Sequence, residues 1–259
     1  MTATRKPTVD LDRTRDLLGK LGLTTAAERI EDLLSLAAKE DEPSHRFLDR
    51  VLQEELGQRE DRRVRTSLKL SSLPQGQTLA SFDFAFQPGV ERSQVELLAT
   101  CAYIREKFSV LIQGPPGVGK THLAVSLGVK AVDNGFSVAF FRLEELLTEL
   151  RRDAAVAPAR MRRRKYVNVA LLIIDEVGFE PMTRQDASLF FRLVSYRYGR
   201  GSVLITTNKG IKDWPELFAG DEVLAAAILD RLLHHSHVLN IRGRSYRLRD
   251  LNHRVDAQS

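Results

Sequence analysis

Apolar residues recur at intervals of three and four along the first part of this chain. Leu23, Ala26, Ala27, Ile30, Leu33, Leu34 and Ala37 form one stripe, and after Glu42-Pro43-Ser44 the residues Phe47, Leu48, Val51, Leu52 and Leu56 form another. That period predicts two or three amphipathic helices over residues 9–65, with Ser44 as an N-cap after the proline break. Stripes this narrow make a small core, so the helical part is expected to dock on something. Ser71-Ser72-Leu73-Pro74-Gln75-Gly76-Gln77 then has the chemistry of a linker.

From Leu79 the pattern changes to short apolar runs separated by helical stretches. Strands are expected at Phe108–Gln113, Ser137–Phe141, Val169–Asp175, Ser202–Asn208 and Val238–Ile241, with helices at His122–Gly128, Leu143–Leu150 and Ala187–Tyr198. Strands alternating with helices imply an α/β fold whose parallel sheet is covered on both faces. The expected organisation is a helical N-terminal domain over 1–70 that binds DNA or a partner, a linker over 71–78, and an α/β domain over 79–259.

The first expected strand runs into Gly114, Pro115, Pro116, Gly117, Val118, Gly119, Lys120 and Thr121, with His122 opening the helix that follows. Glycines at both ends let backbone N–H groups converge on phosphate oxygens with no Cβ in the way. Lys120 is expected to reach the β- and γ-phosphates and Thr121 to hold Mg²⁺, with the phosphates at a helix N-terminus where free N–H groups favour an anion. The nucleotide-holding set is therefore residues 114–122 together with Asp175.

Leu171-Leu-Ile-Ile-Asp175-Glu176 is an apolar strand ending in two carboxylates. Asp175 suits a Mg²⁺ contact near the phosphates, and Glu176 suits the polarisation of a water for in-line attack. The second acid argues against small-molecule kinases, and the absence of Asn-Lys-x-Asp argues against GTPases. Asn208 closes the next strand, where its amide could bond the attacking water or the γ-phosphate. Arg231, in Asp230-Arg231-Leu232, and Arg247, in Ser245-Tyr246-Arg247, suit neutralising transferred-phosphate charge within one subunit or between two. Phe82, Phe84 and Phe86 alternate as strand packing or as part of an adenine pocket, and Trp214 reads as packing. His234, His235 and His237 do not fall on one helix face, which argues against a metal set.

Composition narrows the picture. Hydrophobic residues make up 43% and charged residues 28% of the chain, values of a soluble globular protein. No apolar run approaches the roughly 18 residues of a membrane span, the N-terminus lacks a signal-peptide core, and Cys101 is the only cysteine. A cytoplasmic protein without disulfides is expected. The net charge of +5 is unevenly placed: residues 1–70 balance 14 basic against 14 acidic groups, whereas residues 151–165 hold seven basic groups and one acid. Arg151, Arg152, Arg160, Arg162, Arg163, Arg164 and Lys165 are the candidate nucleic-acid contacts. The segment from Asn240 adds further arginines.

Taken in order, these pieces resemble the IstB-like branch of AAA+ ATPases, the transposition helper proteins of insertion sequences, related to DnaC-type helicase loaders and to DnaA. The likeness is carried by Leu79-Ala-Ser-Phe-Asp-Phe84, Gly114 to Ala124, Leu172-Ile-Ile-Asp-Glu176 with Gly178-Phe179, Arg197-Tyr198, Thr206-Thr-Asn208, Trp214, Asp230-Arg-Leu232 and Ser245-Tyr-Arg-Leu248. The resemblance implies that residues 114–121 are a Walker A loop, that Asp175 and Glu176 are Walker B with its catalytic acid, and that Asn208 is sensor 1. It further implies that Arg231 is an arginine finger acting on a neighbouring subunit and that Arg247 is a sensor 2 arginine. ATP and Mg²⁺ are the implied cofactors; double-stranded DNA, a cognate transposase and further copies of the chain are the implied partners, with no membrane. A helicase loader is the alternative implied by the same motifs, although loaders of the zinc-binding type would need cysteines that this chain lacks.

Overall fold

A computed structural model of the chain describes residues 11–154 and 164–247. It divides into two compact units, Met1–Thr66 and Ser67–Ser259. The first contains α1 (Asp12–Lys20), α2 (Thr24–Lys39) and most of α3 (Ser44–Ser71). Ala26, Ile30, Leu33 and Val51 form its small core. Beside them the buried Glu55 accepts the N–H groups of Thr25 (2.8 Å) and Ala26 (3.1 Å), satisfying donors at the open end of α2. The two units part inside α3, about one helical turn ahead of the composition break at residue 71. Residues 71–78 accordingly belong to the second unit, where Ser71 is buried and Leu73 lies against Gly128.

The second unit continues with a 3₁₀ turn (Leu79–Ser81), α4 (Arg92–Ala99), α5 (Ala102–Glu106), β1 (Ser109–Gln113), α6 (Lys120–Asp133), β2 (Val138–Arg142) and α7 (Leu143–Asp153). After residue 164 come α8 (Lys165–Asn168), β3 (Leu171–Val177), α9 (Arg184–Arg197), β4 (Ser202–Thr207), α10 (Trp214–Leu217), α11 (Glu222–Leu233) and β5 (Ser236–Asn240). The five strands form one parallel sheet in the order β2-β3-β4-β1-β5.

Side chains of β3 alternate between two apolar layers, as a two-residue period requires. Leu172 and Ile174 join the cluster built with α7, α9, α10 and α11, around Leu146, Phe190, Trp214, Phe218 and Ile228. Ile173 points the other way, towards Gly128 of α6. Both faces of β3 are thus covered, which explains its unbroken apolar sequence. Trp214, fully buried, is a packing residue. Below the sheet, the guanidinium of buried Arg197 donates to the carbonyls of Tyr166, Val167, Val169, Ala170 and Ser202, tying α8 and the starts of β3 and β4 together.

Candidate functional site

The loops leaving the C-terminal ends of β1, β3 and β4 converge on one cavity of about 420 Å³. This is where ligands bind in open parallel sheets. Lys120, Thr121, Asp175, Glu176, Asn208 and Arg247 all line it, together with Pro116, Gly117, Val118, Gly119 and His122.

The loop after β1 owes its shape to two glycines in the left-handed region. Gly117 has φ +81°, and a Cβ there would stand 2.1 Å from Ser245 Oγ; Gly119 has φ +95°, and its Cβ would stand 2.7 Å from the Phe82 ring. Helix α6 starts at Lys120 with Gly119 as N-cap and no side-chain cap, so its first-turn N–H groups remain available to an anion. Lys120 Nζ donates to the carbonyls of Gly114 and Pro115, both at 2.8 Å. Burial lowers the Lys120 pKa, with Arg247 adding to the fall while Asp175 and Glu176 oppose it.

A strap from Ile241 to Arg247 covers this loop. Ile241 N–H donates to Gln113 O (2.8 Å) and Tyr246 N–H to Gly117 O (2.9 Å). Gln87 Nε2 donates to Arg244 O at 2.6 Å, and the Tyr246 ring meets Phe86 edge-on at 5.2 Å. The strap brings Arg247 to the cavity.

Consecutive residues of a regular strand point to opposite faces, yet Asp175 and Glu176 both line the cavity. An irregularity in the β3–β4 register between Ile174 and Val177, with Glu176 at φ +63°, turns the second acid back towards it. Thr206 holds the two acids together. Its hydroxyl accepts the Glu176 N–H (3.0 Å) and donates to Asp175 Oδ1 (2.5 Å). The Thr121 hydroxyl also donates to Asp175, at 2.9 Å. A carboxylate beside a hydroxyl is the hard-oxygen pair that Mg²⁺ takes. Asn208 Oδ1 is buried with no hydrogen-bond partner among the described residues, so an acceptor is available where a water or a phosphate-bound group would complete it. The residues therefore fit a nucleoside triphosphate with Mg²⁺.

Sequence reasoning missed Arg142, at the end of β2 beside Asp175, whose Nε lies 3.7 Å from Glu176 Oε2. It also gave no role to Gln87 or to Thr206, although Thr206 opens the Thr206-Thr-Asn208 motif. The aromatic alternation at 82–86 does not form a strand. Thr78 and Ser81 cap a 3₁₀ turn, and Asp83 Oδ1 accepts the Phe86 N–H at 2.9 Å, turning the chain instead. Phe82 packs edge-on to Phe84 and to His122, whose Nε2 lies 2.9 Å from Thr78 O.

Arg231 lies away from this cavity. Its Nη1 donates to Ala227 O at 2.8 Å and its guanidinium covers the Phe191 ring. The described residues of the basic segment have partners: Arg151 makes a two-pronged bond to buried Asp186 (2.7 and 2.8 Å), and Arg164 Nη2 lies 2.6 Å from Asp153. Arg152 pairs with Glu149, and Lys165 donates to Ser72 Oγ at 3.0 Å. Arg160, Arg162 and Arg163 lie outside the described residues. His234 contacts the Tyr198 hydroxyl and His235 stacks on Phe108. Among the described residues, no helix is long and apolar enough to cross a membrane.

A family model described as IstB-like ATP binding protein matches residues 16–254. The ATP-binding protein of insertion sequence IS21 from Pseudomonas aeruginosa is 46% identical over 234 residues, covering 90% of this chain and 88% of the relative. The corresponding protein of insertion sequence IS5376 from Geobacillus stearothermophilus is 37% identical over 239 residues, 92% of this chain and 95% of the relative. Among solved structures, AMPPCP-bound DnaA from Aquifex aeolicus aligns with a TM-score of 0.55 at 18% identity, over 72% of this chain and 56% of that one. DnaI aligns with a TM-score of 0.53 at 20% identity, over 64% and 90% respectively. These two likenesses establish the fold as that of AAA+ P-loop proteins.

Proposed function

The chain belongs to the family of IstB-like ATP-binding proteins, and from that premise we propose that it is a Mg²⁺-dependent ATPase that assembles on double-stranded DNA and stimulates a partner transposase in the cytoplasm. The observation that carries this reading is the single cavity shared by Lys120, Thr121, Asp175, Glu176 and Asn208. Both curated relatives are proteins of insertion sequences, which favours transposition over helicase loading.

Bound ATP supplies the γ-phosphoryl group, and Mg²⁺ offsets its charge. Lys120 exchanges its two carbonyl acceptors for the β- and γ-phosphate oxygens. Thr121 and Asp175 would hold the cation, with Thr206 fixing the Asp175 carboxylate. Glu176 takes the proton of the attacking water, and the Asn208 amide orients that water. Arg247 acts from its own subunit through the strap. Arg231, remote from its own cavity, acts on the nucleotide of a second copy. The duplex lies against the basic segment 151–165. Arg151, Arg152 and Arg164 are paired with acids, so a phosphate contact from any of them competes with its carboxylate partner.

The test is ATP turnover with duplex DNA. Glu176→Gln should retain ATP and lose almost all hydrolysis. Arg231→Ala should also retain ATP without hydrolysis, and mixing it with Lys120→Ala subunits should restore part of the activity. Wild-type turnover by Glu176→Gln would remove the assigned base, and failure of the mixture would remove the shared site.

A further inference from the structure

A second cavity of about 230 Å³ opens at the opposite end of the sheet, beside the starts of β1 and β4. Lys107, Arg197, Arg231, Tyr198, His235 and Glu106 are among its lining residues. Three of these are basic side chains and one is an acid.

The charge balance of this cavity is unusual in its depth. Arg197 is 1% exposed, and five carbonyls take its Nη hydrogens while its Nε has no partner. Carbonyl dipoles spread a guanidinium charge but do not cancel it. No carboxylate pairs with Arg197, Arg231 or Lys107 among the described residues. A buried positive charge without a counter-ion makes a neighbouring cavity attractive to an anion. Arg231 is a lining residue whose guanidinium is fixed by the Ala227 carbonyl and the face of Phe191 (4.8 Å to the ring centre).

Lys107 is placed with comparable definition. It ends α5 in the left-handed region, at φ +62°, where a lysine is uncommon. The turn is held by Lys107 N–H to Ile104 O and Phe108 N–H to Tyr103 O. It carries the chain directly into β1 and makes Lys107 a lining residue of the cavity that Arg231 also lines.

We propose that this cavity receives the terminal phosphate of a nucleotide held by a second copy of the chain, and that Lys107 acts there as a second trans-acting cation beside Arg231. The inference rests on the reading of Arg231 as acting between copies. A flexible ammonium supplies a point charge to the phosphoryl oxygens, while the guanidinium supplies the directed fork.

The experiment uses the full chain with ATP, Mg²⁺ and duplex DNA. Lys107→Asn removes the charge but suits the left-handed turn, and Lys107→Arg keeps the charge. For Lys107→Asn, turnover should fall on the order of a hundredfold, with ATP affinity unchanged. Lys107→Arg should retain most turnover. Mixing Lys107→Asn with Lys120→Ala subunits should restore hydrolysis, because nucleotide on the first meets an intact Lys107 from the second. A purely structural role for Lys107 would not be rescued in this way, so a loss without rescue overturns the inference. Wild-type turnover in Lys107→Asn alongside an inactive Arg231→Ala also overturns it, while leaving the shared ATP site standing. Wild-type turnover in both variants removes the shared site itself.

Discussion

Replacing Thr206 by valine keeps the shape and β-branching that suit an interior strand and removes one hydroxyl. That hydroxyl accepts the Glu176 N–H at 3.0 Å and donates to Asp175 Oδ1 at 2.5 Å. Without it the Glu176 N–H loses its partner, which costs about 1–3 kcal/mol where water does not enter. Asp175 keeps the Thr121 hydroxyl at 2.9 Å, so its loss is nearer the lower end of the roughly 1.5–3 kcal/mol of a charged hydrogen bond. The two bonds share one oxygen and do not simply add. A net destabilisation of about 2–3 kcal/mol is expected. Urea denaturation should show a lower midpoint at unchanged slope, with Thr206→Ser close to wild type. Turnover should fall further than stability alone accounts for, because the left-handed conformation of Glu176 loses its tether. If Thr206→Val matches Thr206→Ser in both midpoint and turnover, the hydroxyl does not hold the two acids.

Three other perturbations follow from contacts already described. The Arg151 guanidinium holds the Asp186 carboxyl below the usual aspartate range, against the opposing effect of burial. A lowered folded-state pKa contributes stability above the unfolded value of about 3.9, and that contribution is lost as pH falls through the folded value. Urea midpoints measured from pH 7 down to 3 should therefore decline steeply below about pH 4 in the wild type, and less steeply in Asp186→Asn. Arg151→Ala should lose about 1–2 kcal/mol at neutral pH, discounted because the arginine is half-exposed; unchanged stability would mean that the pair with Asp186 does not hold the fold. Gly117→Ala places a Cβ 2.1 Å from Ser245 Oγ at φ +81°. A left-handed alanine costs about 1–2 kcal/mol, so titration calorimetry should show ATP affinity at least about tenfold weaker; wild-type affinity would mean the strap yields freely.

Much of this architecture could be read from the chain itself, where the deciding interactions are local. The strands are runs of apolar residues bounded by turns, and the phosphate loop is a fixed spacing of glycines that ends in Lys120 and Thr121. What escaped was decided at a distance or by a departure from regularity. Asp175 and Glu176 read as two working acids at the end of a regular strand, because nothing in Leu171-Leu-Ile-Ile-Asp-Glu announces an irregular register against β4. Phe82, Phe84 and Phe86 have the period of a strand, but Thr78, Ser81 and Asp83 offer their side chains to the backbone and turn it. The basic segment looked like open charge because Asp186, 35 positions from Arg151, is invisible to any local window. The last strand was expected at Val238–Ile241 and runs Ser236–Asn240, since its polar first residues are set by pairing with β1.

The strap also carries a consequence for biosynthesis. Gln87 and the Arg244 carbonyl are 157 positions apart, so on the ribosome the phosphate loop emerges long before the residues that roof it. Contacts this far apart in sequence close late and slowly. A nascent or prematurely terminated product lacking Ile241 to Arg247 has Lys120 but neither the Ile241–Gln113 bond nor the Tyr246 tether. Incomplete translation products should therefore be poor competitors for nucleotide.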